Sequence, residues 1–174
     1  MTIPPHEDPA VLLLLIEIAF AAPEMIPEEA WAAAMNAAPE SAADFEIPLK
    51  AGGTFRMADH KGEKVLLTFW ASWCAPCRRE LPALSTWAKS HPEVTVLAVN
   101  VDRTSAEAES FMRKVSFDLP VAYDPDAKHL GRYGVASMPT MLLFDRKGAL
   151  VWRHTGYGEE KGLSELDAAV GGVK

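Results

Sequence analysis

The sequence predicts an α/β fold: a central mixed sheet flanked by helices on both faces, with an N-terminal helical extension. Three observations carry this expectation. The continuous apolar runs "KVLLTFWAS" (64–72) and "VTVLAVNVD" (94–102) have the composition of strands buried on both faces. Segments of helical spacing alternate with them, as crossovers between neighbouring strands require. Late in the chain "TMLLFD" (140–145) and "ALVWRH" (149–154) flank the turn "RKG" at hairpin spacing, which adds antiparallel pairing and makes the sheet mixed.

In chain order, "EDPAVLLLLIEIAFAAPE" (7–24) opens with Asp8 as a cap and Pro9 in the first helical position, and its apolar run ends at Pro23. The run is shorter than the roughly 20 apolar residues that span a bilayer. It has the small-x-small end of a secretory signal at Ala21, yet Glu7 and Asp8 stand where a signal carries basic residues and Glu17 interrupts the run. Two readings follow: a signal or anchor formed by residues 10–22, or a helix packed on the domain or between subunits. "IPEEAWAAAMNAAPES" (26–41) predicts a second, alanine-rich helix. Residues 1–43 therefore form the expected extension, and 44–174 the domain.

Within the domain, "GTFRMADHKG" (53–62) reads as strand and turn and "KVLLTFWAS" as the first buried strand, while "CAPCRRELPALSTWAKSH" (74–91) has helical spacing. Pro82 lies inside that helix and should kink it. After the strand 94–102 come a helix in "SAEAESFMRKV" (105–115), a short strand in "DLPVAYD" (118–124) and a helix with a glycine stop in "AKHLGRYGV" (127–135). The hairpin follows, and "EEKGLSELDAAV" (159–170) closes the chain as a helix.

With 174 residues and 49% hydrophobic side chains, the chain can bury a substantial core. The net charge of -7 originates at the N-terminus, since residues 1–49 hold nine acids and no Lys or Arg. The remainder is almost balanced, with 17 basic and 15 acidic side chains, so neither nucleic acid nor an anionic membrane is indicated as partner. Membrane contact is expected only if residues 10–22 act as signal or anchor.

Both cysteines, Cys74 and Cys77, fall in "FWASWCAPCRRELP" (69–82). A disulfide closing so short a loop constrains the unfolded chain little, which argues against a structural clip. A zinc site commonly takes four ligands, and the five histidines are scattered with none at helical spacing from another, so metal binding would rest on the two thiolates alone. The third use is reversible closure. At the junction of a strand and a helix, Cys74 meets the unsatisfied N–H groups and partial positive charge of the helix start, with Arg78 and Arg79 in the next turn; these favour the thiolate, which is the nucleophile. Cys77, one turn on and facing inward, then resolves.

"FWASWCAPCRRELP", the later "SMPT" before an apolar strand and the "FDRKG" turn together resemble the thioredoxin superfamily, in particular its TlpA/ResA-like branch of cell-envelope thiol-disulfide oxidoreductases. The resemblance covers about Asp44 to Val170. It implies a thioredoxin-like fold with Cys74 as attacking thiol, Cys77 as resolving thiol, Pro76 between them, Trp73 before them, and a cis peptide bond before Pro139 that turns the Met138 backbone toward the disulfide as a docking edge. It further implies protein thiol and disulfide substrates, an upstream dithiol donor, no cofactor beyond the Cys74–Cys77 disulfide, and a reductase of the cell envelope, periplasmic or otherwise extracytoplasmic, in tasks such as cytochrome c maturation. A cytoplasmic location is the alternative. Thioredoxin itself has a buried aspartate where this chain has Thr68, which exchanges no proton at neutral pH. The TlpA/ResA-like branch instead carries a glutamate three residues after the second cysteine, here Glu80, expected either to move that proton or to be a solvated helix acid paired with an arginine. Rival functions are a peroxiredoxin-like peroxide reductase, against which Trp70 and Trp73 stand in place of that family's Pro-x-x-x-Thr approach, and a binding module, either a thiolate metallochaperone or a thioredoxin-like adaptor.

Overall fold

The computed structural model describes Ala42, residues 44–158 and residues 162–172; both expected N-terminal helices, and residues 10–22 within them, lie outside the described residues. Among the described residues five strands make one sheet, ordered β5 (Val121–Tyr123), β4 (Val94–Asn100), β3 (Lys64–Trp70), β6 (Thr140–Phe144) and β7 (Leu150–Thr155). A separate antiparallel hairpin pairs β1 (Glu46–Pro48) with β2 (Thr54–Arg56). The strand in β1 was not foreseen: three residues interrupted by Pro48 carry too little alternation to announce themselves.

The middle of the sheet goes to the most apolar run. Every residue of β3 is buried, and β3 pairs in parallel with β4 and antiparallel with β6, so the sheet is mixed as expected. β4 and β5 are also parallel, whereas β6 and β7 are antiparallel with an irregularity between Leu143 and Phe144.

From β3 the chain passes through α1 (Cys77–Ser90) to β4 and through α2 (Ser105–Met112) to β5. The two crossovers step the same way along the sheet, and right-handed connections then put both helices on the same face. The packing agrees. Leu81 of α1 and Ala108 and Phe111 of α2 share a cluster with Trp70, Ala98 and Val121. Leu84 and Trp87 of α1 meet Leu166 and Val170 of α4 (Gly162–Gly172) over Leu66, Val96, Met141 and Leu143. On the opposite face Val65, Leu67, Phe69, Leu97, Val99, Leu142 and Phe144 pack against Phe45, Ile47 and Phe55 of the hairpin region. Tyr133, which ends α3 (Lys128–Arg132), joins them. Helices therefore flank both faces, as the sequence predicts.

Pro82 sits inside α1, which nonetheless runs on to Ser90. Having no N–H, it leaves the Arg78 carbonyl without its helical donor. At the other end of β3, the buried Lys64 donates from Nζ to the Val170 carbonyl at 2.6 Å, so a cation meets the C-terminal turn of α4.

Candidate active site

β3 ends at Trp70, and the chain turns through Ala71–Pro76 before α1 begins. The helix starts at Cys77 rather than at Cys74, a correction to the expected boundary: Pro76 is the N-cap, in helical conformation and with no side chain to satisfy the first N–H groups. One of those groups finds sulfur instead. The Cys77 N–H points at Cys74 Sγ at 3.2 Å, so Cys74 receives the helix start's partial positive charge through a hydrogen bond from just outside the helix.

Cys74 and Cys77 are joined by a disulfide with their Cα atoms 5.4 Å apart. Cys77 is fully enclosed, whereas Cys74 keeps 4% of its surface open, so the exposed edge of the bond belongs to Cys74. Trp73 is 69% exposed beside it, a large apolar surface presented to solvent next to the reactive bond. Pro76 is half-buried.

The loop before the pair is held by a residue the sequence did not single out. Asp102, just past the end of β4, is buried and accepts hydrogen bonds from the Ser72 N–H at 2.9 Å, the Ser72 hydroxyl at 3.0 Å and Asn100 Nδ2 at 2.8 Å. An acid closing the run "VTVLAVNVD" was a signal, since a charge at the end of a buried strand needs partners.

The second loop of the site comes from before β6. The Met138–Pro139 peptide bond is cis, as the resemblance implied. Met138 packs against the cluster that contains both cysteines, and among the described residues its backbone makes no hydrogen bond to other backbone. Pro139 is buried, and its carbonyl accepts from the Gly156 N–H at 2.8 Å.

Where β3 packs against α1, Thr68 and Glu80 meet. Glu80 is fully buried on the inward face of α1, and the Thr68 hydroxyl on β3 donates to its Oε1 at 2.6 Å. Its other oxygen, Oε2, has no hydrogen-bond partner among the described residues. Glu80 is therefore not a solvated acid paired with arginine. Burial pushes its carboxyl up to about 7, and the Thr68 hydrogen bond only partly offsets this. Three positions after Cys77, it lies on the same helix face as the enclosed thiol. The arrangement puts a group that titrates near neutrality on the helix face that also carries the inner cysteine, and leaves Cys74 the less enclosed of the pair.

The sequence pattern of the AhpC/TSA family matches residues 38–153. The thiol-disulfide oxidoreductase ResA of Bacillus thuringiensis (strain Al Hakam) is 32% identical over 114 residues, spanning 64% of this chain and 66% of that protein, slightly less than two thirds of its length. A crystal structure from Chlorobium tepidum, described as a thiol:disulfide interchange protein DsbE, superposes with a TM-score of 0.69 at 34% identity, over 75% of this chain and 96% of that one. The exposed lipoprotein thioredoxin Etrx1 of Streptococcus pneumoniae strain TIGR4 gives 0.65 at 36% identity, over 74% and 99%. A buried disulfide at a strand-to-helix junction, a cis-proline loop against it and a family pattern across more than half the sequence lead to one assignment: the chain belongs to the AhpC/TSA family and is thioredoxin-like.

Proposed function

We propose that this protein is a thiol-disulfide oxidoreductase that reduces disulfides in protein substrates through its WCAPC site. The observation that carries the reading is the asymmetry of the Cys74–Cys77 pair: Cys74, the less enclosed, receives a helix N–H, and Cys77, fully enclosed, shares its helix with a buried carboxyl three positions on that titrates near neutrality. In the dithiol form the Cys74 thiolate attacks one sulfur of a substrate disulfide, and the other substrate sulfur leaves as a thiolate. Cys77 then gives its proton to the Glu80 carboxylate and attacks Cys74 Sγ. The mixed disulfide breaks, the second substrate sulfur leaves and takes up a proton, and two electrons have passed to the substrate. An upstream dithiol donor returns the pair to the reduced state. Trp73, Pro76, Met138 and Pro139 form the docking surface, with the Met138 backbone pairing with an extended substrate segment.

The site of action we infer is the cell envelope, in line with a relative described as an exposed lipoprotein. We take residues 44–174 as the working domain and 1–43 as an extension to it. In the test of roles, Cys77→Ser accumulates mixed disulfides with partners and Cys74→Ser does not; equal trapping by both refutes the assignment. Glu80→Gln slows resolution more than attack near neutral pH, and raising the pH, which ionises Cys77 unaided, restores much of the rate. An unchanged pH profile in single-turnover reduction removes Glu80 from the mechanism. Fractionation of the host, with mass spectrometry of the mature N-terminus, tests the location; an intact Met1 or Thr2 start in a soluble cytoplasmic fraction refutes it.

A further inference from the structure

We propose that an open groove beside the disulfide is a specificity subsite for a carboxylate flanking the reactive cysteine of a protein substrate; this rests on the oxidoreductase reading above. The groove, of about 250 Å³, is lined by Ser72, Arg78, Glu107, Ser110, Phe111 and Lys114. Two of these residues bracket the redox pair in sequence: Ser72 lies two positions before Cys74, and Arg78 directly follows Cys77. Phe111 belongs to the same packed cluster as both cysteines, so the floor of the groove is continuous with the wall of the disulfide.

Its polar groups are not equivalent. The Glu107 carboxylate is engaged at the start of α2, where its Oε2 accepts from the Thr104 N–H at 3.1 Å and from the Thr104 hydroxyl at 2.9 Å. The Ser72 hydroxyl is committed to Asp102. Arg78 and Lys114 are exposed and, among the described residues, neither forms an ion pair. The Arg78 guanidinium carbon sits 4.9 Å from the centre of the Phe111 ring. Over that ring, the guanidinium still carries the fork of N–H donors that suits a carboxylate. Lys114 lies one turn beyond Phe111, its N–H bonded to the Phe111 carbonyl at 2.8 Å, and adds a second cation to the same opening.

With Arg78 and Lys114 against the single Glu107 carboxylate, this opening carries a net positive charge, and its lining includes Ser72 and Arg78 on either side of the redox pair. A substrate segment that brings its cysteine to Cys74 would carry neighbouring side chains across it. An acidic neighbour gains two cations there, and a basic neighbour is repelled, so the groove selects among disulfides that are equal in redox terms.

The experiment uses the full chain in its dithiol form and three symmetric peptide disulfides, identical except that the residues flanking the single cysteine are Glu, Ser or Lys. Each turnover forms the Cys74–Cys77 disulfide and releases two peptide thiols, which are quenched with acid and quantified. The readout is the ratio of second-order rate constants for the Glu and Lys peptides, which cancels any change in the thiol's own reactivity. The wild type should prefer the Glu peptide about tenfold at low salt, with the preference fading toward unity in molar salt as screening shortens the reach of the charges. Lys114→Glu should cut the ratio severalfold, and Arg78→Glu with Lys114→Glu should invert it. Equal rates for the three peptides, or a preference that survives the double charge reversal, overturns the subsite while leaving the redox reading intact. If no peptide is reduced, the redox reading falls; the subsite is then judged by binding of the same peptides, with serine in place of cysteine, to the oxidised protein, where equal affinities overturn it.

Discussion

Replacing Glu80 by Gln should remove a pH dependence from the stability of the whole fold. The Glu80 carboxyl titrates near 7 in the folded protein and has an ordinary value of 4.5 when solvated. Below pH 4.5 it is protonated in both states and the fold has its full stability. Between about 4.5 and 7 the unfolded chain releases the proton while the fold retains it, so stability falls as pH rises. Above about 7 both states are ionised and the loss is complete. One pH unit of separation is worth about 1.4 kcal/mol, which makes the full loss on the order of 3 kcal/mol. Glutamine keeps the acceptor for the Thr68 hydroxyl and puts an amide where Oε2 has no partner, a cost of about 1 to 3 kcal/mol that does not vary with pH. The assay is urea unfolding of the disulfide-intact wild type and of Glu80→Gln from pH 4 to pH 8.5, read as the difference between them. Other titrating groups cancel in that difference. The wild type's advantage over the mutant should shrink by about 3 kcal/mol between pH 4 and pH 8. A difference that stays flat across this range would show that Glu80 titrates in the fold as it does in the unfolded chain, and the base proposed behind Cys77 would lose its physical basis.

Leu97→Ala, at a fully buried position in β4, should cost about 2 to 5 kcal/mol in denaturant unfolding; a loss below 1 kcal/mol would contradict the packing described for that face. Asp102→Ala should leave the Ser72 N–H without its acceptor, cost about 1 to 3 kcal/mol and speed amide exchange at Ser72; unchanged exchange would mean that the loop is held otherwise. Lys64→Met should fray the last turn of α4, seen as faster exchange there with β3 unaffected. Peroxide with an external reductant should not be turned over at a rate comparable to disulfide reduction; comparable turnover would restore the peroxide-reductase alternative.

The central strands and the redox pair were legible because their signals are local. β3 and β6 are continuous apolar runs, and the cysteines lie three positions apart before a helical pattern. What depends on two distant segments meeting was not legible. Thr68 and Glu80 each drew notice separately, but nothing in their spacing says that a hydroxyl on β3 bonds a carboxyl on α1, and burial alone decides between a near-neutral acid and a solvated one. Asp102 is 30 positions from Ser72, and the Arg78–Phe111 contact joins two helices, so both required the packed structure. The helix start was misplaced by three residues because the turn Ala71–Pro76 contains residue types that a first helical turn also accepts.

The two rims of the sheet are closed unequally. At β5, Leu49 bridges to Ala122 and the Lys50 N–H bonds the Val121 carbonyl, so the start of the turn joining β1 to β2 lies along that rim. β7 has no such cover among the described residues and carries the half-buried Arg153 and His154 with the exposed Val151. Strand-to-strand association of two copies at β5 would first require that segment to peel away, whereas at β7, among the described residues, only side chains such as Arg153 and His154 oppose it. Self-association under stress should therefore start at β7, and a lysine in place of Val151 is the substitution that would suppress it.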